Sequence, residues 1–413
     1  MPPCVIIPTF WTRPRGGRGT GRNQSVYDHP TPIDETGTLP ACLASLEQVA
    51  NLGRVVVIVA ATHPSIEHQA EDKVREILED FPGLEAFVFG RAELGSLHRR
   101  LEQLEFSDMI QGVKLDGYGA VRNVGLIVAA NLGCETVVFV DDDQVITDDN
   151  FLELAEDGIG DVTGKGSPVL AKTGYYRDDQ ARWQRPATGH WTDMFWRQNE
   201  AFNKAMSRLL SGPRLQPTTI AFGGCFALHR DMYANVSFDP WVARGEDTDY
   251  IVNVRMHGGD VFFDSEWSAA HNPPPTSGEA FRFRQEVWRF IYMHRKLEFA
   301  ESQVDLRPVT PHSLEPYPGE FVGHSVGTRA VLTALLRALS GREAGAYIKI
   351  VRELSEASRY ARKNCDNYFA FQRRWPQLMD SIWEDVALKS LFTGERRVDR
   401  TAITGRFPVI RTD

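Results

Sequence analysis

Short apolar runs, each long enough for one strand, constrain what this chain can fold into. Three of them are CVIIPTF at 4–10, VVVIVAA at 55–61 and TVVFV at 136–140. A strand that is apolar at every position is typical of a sheet covered on both faces. Apolar residues also recur at helical spacing, at 39–50 and 65–81. This alternation predicts an α/β fold with a mostly parallel, Rossmann-like sheet.

The pattern changes to long helical periods near Gly278. We therefore expect two units, an α/β domain at 1–277 and a helical C-terminal subdomain with a polar tail at 278–413. If the protein forms a homo-oligomer, the C-terminal helices are the surface we expect it to use. The helices predicted in this region are 281–299, 328–339, 344–360 and 375–388.

Charge, hydropathy and cysteine content argue against several classes of protein. The chain has 46 Lys and Arg against 55 Asp and Glu, a net charge of −9, whereas a nucleic-acid-binding domain normally carries a basic surface. No apolar run approaches the ~20 residues that cross a membrane, and the N-terminus lacks the features of a secretion signal. We expect a cytoplasmic protein. The five cysteines include no CxxC pair, so they predict neither a disulfide framework nor a zinc site.

Three consecutive carboxylates, Asp141, Asp142 and Asp143, directly follow the apolar run at 136–140. Ligands of open α/β sheets bind at the carboxyl ends of the strands. Three like charges repel one another, and a divalent cation with a preference for oxygen ligands would neutralise them. The alternative is a solvated turn. We favour a metal site.

Five motifs occur in the order found in nucleotide-sugar glycosyltransferases of the GT-A fold, and the chain resembles their large inverting family two. The resemblance spans residues 5–275. It departs from the family at Ala60-Ala61-Thr62, where an acidic residue usually contacts the nucleobase, and in the long connection at 11–37. In chain order, the motifs are DGYGAVRNVG at 116–125, Asp141-x-Asp143 (the DxD signature), GGCFALHR at 223–230, GEDTDY at 245–250, and His271 in Ala-His-Asn-Pro.

The resemblance implies a nucleoside-diphosphate sugar as donor and Mn²⁺ or Mg²⁺ as the metal. Asp143 and His271 are the expected direct ligands, with Asp141 on the ribose or the metal. An imidazole ligand favours Mn²⁺ over Mg²⁺. Lys114 and Arg122 are expected to bind phosphate oxygens or to orient the aspartates. The remaining residues expected at the donor are Pro8, Thr9 and Asp142.

The acidic pair of the GEDTDY motif supplies the expected catalytic group. An acceptor hydroxyl must lose its proton as it attacks, and a carboxylate within hydrogen-bond reach is the natural base. Asp247 matches the second position of the family's pair and is the preferred base. Glu246 is the second choice, more suited to binding the acceptor. The structural alternative for Asp247 is an acidic residue that only stabilises a helix N-terminus.

These features predict a metal-dependent glycosyltransferase, and specifically a hexosyltransferase, that moves a sugar onto the hydroxyl of a soluble small-molecule or saccharide acceptor with inversion. One alternative is a retaining GT-A enzyme. Another is a sugar-phosphate nucleotidyltransferase, which usually carries glycines and a basic residue directly after the first strand, where this chain has Pro8-Thr9-Phe10. A third is a binding protein with a degenerate site.

Two further segments have open interpretations. The connection at 11–37 carries four arginines (13, 15, 18 and 22) among four glycines, which suits either a basic lid over a diphosphate or an idle insertion. The aromatic residues between Tyr175 and Trp196 suit either an acceptor pocket or core packing.

Overall fold

The computed structural model describes residues 2–14, 27–178, 180–187, 189–271, 278–341, 343–383 and 385–393. The strands are β1 (Cys4–Thr12), β2 (Thr31–Pro32), β3 (Val55–Ala61), β4 (Ala86–Phe89), β5 (Thr136–Phe139), β6 (Gln144–Val145), β7 (Ala171–Arg177), β8 (Leu215–Pro217), β9 (Phe226–His229) and β10 (Phe262–His271). The helices are α1 (Leu39–Leu46), α2 (Glu67–Glu79), α3 (Arg91–Gln103), α4 (Tyr118–Asn131), α5 (Phe151–Glu156), α6 (Gln198–Ser211), α7 (Arg230–Tyr233), α8 (Glu246–Met256), α9 (Glu279–Glu301), α10 (Val326–Leu339), α11 (Ala344–Ile382) and α12 (Val386–Phe392).

All described strands belong to one sheet with the order β4-β3-β1-β5-β9-β7-β10-β6, to which β2 adds beside β1 and β8 beside β10. Strands β6, β8 and β9 run antiparallel to the strands that they pair with, and the others run parallel to one another. The predicted α/β class with a mostly parallel sheet is confirmed. The strand order reverses between β1 and β5, and a crevice forms at such a switch point.

Helices cover both faces of the sheet, as the fully apolar strands predicted. Alternate residues of β1 enter two different cores, Val5 and Ile7 on one face and Cys4 and Ile6 on the other. All four are fully buried. The period of two along a strand therefore explains why the side chains are apolar at every position of 4–7.

Pro8 lies inside β1 without breaking the sheet. The Val5 N–H bonds to the Arg54 carbonyl on the β3 side, and the Ile6 carbonyl accepts from Val140 on the β5 side. Alternation turns Pro8 toward β5, but the β1–β5 pairing ends at Ile6. The proline's missing donor therefore costs no ladder bond, and the space beyond Ile6 is left to the crevice.

The C-terminal helices share the cores of the sheet. The first part of α11, to Phe369, packs with α9 and α10 in one core, and Phe371–Ile382 packs in the other. The prediction of a separate helix at 375–388 is wrong, because α11 runs unbroken through Pro376 to Ile382. Burial of Trp375, Leu378 and Met379 offsets the cost of that proline. The domain boundary at 277/278 stays a prediction.

The described residues also bear on the expectations about membrane spans, cysteines and the long connection at 11–37. Among the described helices, none combines the length and the apolar character that a membrane span needs. The five cysteines are all free and buried. Three of the four arginines of the proposed lid (15, 18 and 22), together with its glycines, lie outside the described residues. Helix α3 has no counterpart among the predicted elements.

Candidate functional site

A cleft of about 1180 Å³ opens at the switch point between β1 and β5. Pro8 and Phe10 of β1 and the three aspartates after β5 form one wall, and the beginning of α8 forms another. The carboxyl ends of two parallel strands meet here, so residues far apart in the chain become neighbours. The cleft includes most of the residues that the sequence singled out: Pro8, Arg122, Asp141, Asp142, Asp143, Glu246, Asp247 and His271.

The carboxylate of Asp141 accepts two hydrogen bonds, and the one from Arg122 is also an ion pair. The buried Arg122 donates to Asp141 Oδ1 at 3.0 Å and also to Glu246 Oε1 at 2.8 Å. The Tyr176 hydroxyl donates to Asp141 Oδ2 at 3.0 Å and accepts from the Gly224 N–H at 2.6 Å. Both carboxylate oxygens are engaged. Arg122 therefore contacts Asp141 among the three aspartates, and its expected role in binding phosphate oxygens stays a prediction.

The Gly-Gly pair at 223–224 is required by this packing. A Cβ on Gly224 would lie 2.6 Å from Cγ of Asp141, and one on Gly223 would collide with the guanidinium of Arg122. The guanidinium of Arg122 also donates, through Nη1, to the Gly223 carbonyl at 2.9 Å. The motif at 223–230 thus allows the backbone to approach the charged side chains closely.

Asp142 points in the opposite direction, toward β1, where Thr9 Oγ1 donates to its Oδ2 at 2.6 Å. Burial first, and then the charge of Asp143, raise the pKa of Asp142 to about 8. Thr9 is fully buried beneath the cleft. Thr9 therefore positions Asp142 and does not face the cleft itself.

Asp143 and His271 are brought together by the sheet. The last residue of β10, His271, pairs with Gln144 of β6, one residue after Asp143. His271 Nε2 donates to Asp143 Oδ2 at 3.1 Å. Burial opposes both charges, but the hydrogen bond between them and their mutual attraction lower the pKa of Asp143 and raise the pKa of His271. The two residues form an ion pair. A metal that binds here would have to displace the proton on Nε2 of His271.

The donor set suits a cation of the Mn²⁺ type. Asp143 supplies carboxylate oxygens and His271 an imidazole nitrogen, the combination that favours Mn²⁺ over Mg²⁺. The ligand atoms of Asp141, Asp143 and His271 do not all lie within 4.8 Å of one another. Arg122 and Tyr176 already occupy both carboxylate oxygens of Asp141. The residues that fit a metal directly are therefore Asp143 and His271.

The acidic pair begins α8, as expected, but its two members have different environments. Glu246 is buried on Arg122, and burial raises its pKa despite that cation. Asp247 is partly exposed in the cleft, and its Oδ1 accepts from the Thr248 N–H at 2.6 Å. Gly245 precedes them with φ 70°, and a Cβ there would collide with Arg289. Asp247 is therefore the member that a substrate can reach.

Two predicted site residues do not line the cleft, Lys114 and the buried Thr9. Lys114 pairs with Asp116 at 3.5 Å, and it is not among the described residues that line the cleft. Within the aromatic segment, Trp183 and Trp196 both line the cleft, and Trp196 also packs against Phe283, Phe290 and Phe321.

Sequence reasoning missed the wall that α9 contributes. Arg282, Glu286 and Arg289 line the cleft from one face of that helix. Their spacing of four and three residues is the signal that could have found them. Arg244 joins this wall to the end of the long connection, because it pairs with Asp28 at 2.8 Å and with Glu286 at 3.1 Å.

No family model and no curated protein matches the chain. Among solved structures it is similar to the mannosyltransferase PcManGT from Pyrobaculum calidifontis in complex with GDP-Man and Mn²⁺, at 14% identity over 96% of this chain and 88% of that chain, with a TM-score of 0.47. A mycobacterial protein is similar at 15% identity over 71% and 73% of the two chains, with a TM-score of 0.36. GalNAc-T7 with UDP, GalNAc and Mn²⁺ is similar at 12% identity over 92% and 58%, with a TM-score of 0.35. Likenesses this distant carry no argument about the reaction, which has to come from the side chains of the cleft.

Proposed function

We propose that the protein is a metal-dependent glycosyltransferase of the GT-A type, which transfers a hexose from a nucleoside-diphosphate sugar to the hydroxyl of a soluble acceptor with inversion. The observation that carries the proposal is the convergence of the Asp143–His271 pair and the accessible Asp247 in one cleft at the switch point of the sheet. The Asp143–His271 pair is suited to hold a cation that binds the diphosphate. Asp247 is suited to accept a proton.

Each group has a distinct task in this reaction. Mn²⁺ held by Asp143 and His271 would supply Lewis-acid stabilisation of the diphosphate leaving group. Arg122 keeps Asp141 in place and remains charged, because the carboxylates of Asp141 and Glu246 raise its pKa against the effect of burial. Asp247 accepts the proton of the attacking hydroxyl. The cleft, at about 1180 Å³, is large enough for donor and acceptor together.

Binding measurements separate this function from its rivals. Thermal shift with UDP-, GDP- and ADP-sugars, each with and without Mn²⁺, should show stabilisation that needs both components. Stabilisation by a nucleoside triphosphate with a sugar phosphate would instead identify a sugar-phosphate nucleotidyltransferase. If no nucleotide of either kind stabilises the protein with metal present, the proposal fails.

The base is tested by Asp247→Asn. This variant should bind donor as the parent does and lose turnover by about 10²–10⁴-fold, because an amide cannot accept the acceptor's proton. Donor affinity by calorimetry and turnover by product formation are measured on the same preparation. The control is Asp305→Asn, at an exposed position outside the cleft. Turnover within a few-fold of the parent would mean a different base or a retaining reaction, and Glu246→Gln then tests the second candidate.

A further inference from the structure

A second group of metal-ligating side chains lies on the C-terminal helices. His294 and Glu298 are one turn apart on α9, and His324 precedes α10. One ligand atom from each lies within 4.8 Å of the other two, and among the described residues this is the only group of three that meets that distance. None of the three lines the cleft. The group is therefore independent of the site proposed for glycosyl transfer.

The geometry within this group resembles a preformed chelate. His294 Nε2 lies 3.4 Å from Glu298 Oε1. The rings of His294 and His324 are 5.1 Å apart and nearly perpendicular, at 87°. Residues at i and i+4 share a helix face, so α9 holds two of the ligands without help from a loop. The third comes from a separate element and closes the group.

A backbone contact fixes the tautomer that a metal needs. His294 Nδ1 lies 2.9 Å from the carbonyl of Val322. A carbonyl only accepts, so Nδ1 carries the proton, and Nε2, which lies near Glu298, is the nitrogen left to bind a metal. Val322 is fully buried, which fixes that carbonyl in the core. Metal-bound histidines are commonly oriented by such an outer hydrogen bond.

We propose that His294, Glu298 and His324 bind a divalent transition metal, with Zn²⁺ as the best match. Two imidazoles and one carboxylate leave a fourth tetrahedral position for water. Imidazole ligands disfavour Mg²⁺ and Ca²⁺, which take oxygen. The bound metal cross-links α9 to the segment that begins α10. The competing explanation is an ordinary surface ion pair, since Glu298 also lies 3.4 Å from Arg295.

Cobalt titration tests the site without relying on enzyme activity. Asp143→Ala is the background, because it removes a ligand of the cleft and leaves this group intact. In that background, Co²⁺ should bind with one equivalent and give the visible absorption of a tetrahedral site, and Zn²⁺ should displace it. His324→Ala added to the background should weaken binding by at least about 10–100-fold. His312→Ala, an exposed histidine with its own glutamate neighbour, should leave binding unchanged.

A second variant guards against an indirect effect of the first. Glu298→Gln keeps the size of the side chain and removes the charge, and it should also weaken Co²⁺ binding. Zn²⁺ should raise the melting temperature of the background protein and not that of its His324→Ala form. The proposal is overturned if His324→Ala and Glu298→Gln leave Co²⁺ binding as unchanged as His312→Ala does. It is also overturned if the background protein binds no Co²⁺ up to about 1 mM.

Discussion

Two clusters of carboxylates in this protein are built in opposite ways. In the core, Asp239 and Asp249 face Lys296 at 2.6 Å each, and all three side chains are fully buried. In the cleft, Asp141 and Glu246 pair with the guanidinium of Arg122, and Asp143 pairs with the imidazole of His271. Asp142 accepts a hydrogen bond from Thr9. Both clusters join distant elements of the fold, but only the cleft opens to solvent.

The core cluster is satisfied by the chain itself. The ammonium of Lys296 donates to both aspartates and to Asn253 Oδ1 at 3.1 Å, which uses all three of its donors. Tyr292 donates to Asp239 at 2.8 Å, and Asn253 donates to Asp249 at 3.2 Å. A buried charge is tolerated when it is paired and fully hydrogen-bonded.

The cleft cluster is not satisfied in that sense. Asp142 has its pKa raised to about 8, first by burial and then by the charges of Asp143 and Asp141. Its hydrogen bond from Thr9 does not compensate for those charges. Additional positive charge would stabilise this cluster and can reach it through the open cleft, whereas the core cluster is fully buried. The contrast separates a structural use of carboxylates from a ligand-binding one.

The largest effect is expected from breaking the core cluster. Lys296→Met should lower the free energy of unfolding by about 3–5 kcal/mol, because it leaves two buried carboxylates without their cation. Urea denaturation followed by circular dichroism measures the loss. Lys363→Met on the exposed face of α11 is the control and should change the midpoint little. A loss below about 1 kcal/mol would mean that water reaches Asp239 and Asp249.

The two clusters also differ in how far the sequence predicts them. Strands β3 and β5 lie where the apolar runs predicted them, at Val55–Ala61 and Thr136–Phe139. Because those strands are parallel and buried, the aspartates that follow β5 had to lie at the ligand-binding edge. Local pattern and sheet geometry were sufficient for the carboxylate side of the cleft.

Lys296 and the cleft-lining face of α9 depend instead on how that helix packs against α8. Lys296 lies 47 residues from Asp249 in the chain. Nothing in the sequence around Lys296 distinguishes it from a solvent-exposed lysine. Trp375 and Pro376 show the same limit, because only the tertiary contacts of α11 reveal that the helix continues through them. Sequence periodicity identifies a helix face but not its neighbour.

An intermediate effect is expected from the cleft. Asp143→Ala should weaken Mn²⁺-dependent binding of the cognate nucleoside diphosphate by at least about 10–100-fold, since even an outer metal partner is worth that much. The free energy of unfolding of Asp143→Ala without metal should fall less than that of Lys296→Met, because the substitution removes one of several carboxylates that repel one another. Calorimetry and urea denaturation give the two numbers. Asp305→Ala is the control, at an exposed position. Unchanged affinity would remove Asp143 from the metal site.

The smallest effect concerns the titration of His271. The hydrogen bond and charge of Asp143 raise the pKa of His271 above its ordinary value of about 6.5, against the effect of burial. A raised histidine pKa stabilises the metal-free fold at low pH, and that contribution is lost as pH rises through the folded pKa. A metal needs the unprotonated ring, so Mn²⁺-dependent nucleotide affinity should change in the opposite sense, rising with pH by up to about tenfold per unit in that range.

Calorimetry between pH 6 and 9 measures this dependence in the parent and in His271→Ala. The difference between the two curves cancels the titration of the nucleotide itself, and only the parent should retain the steeper rise. His29 also lines the cleft, but burial lowers its pKa, so His29→Ala should keep the parent's slope at these pH values. If His271→Ala shows the same slope as the parent, the imidazole is not a ligand. The ion pair with Asp143 would then be a structural contact of the kind found in the core.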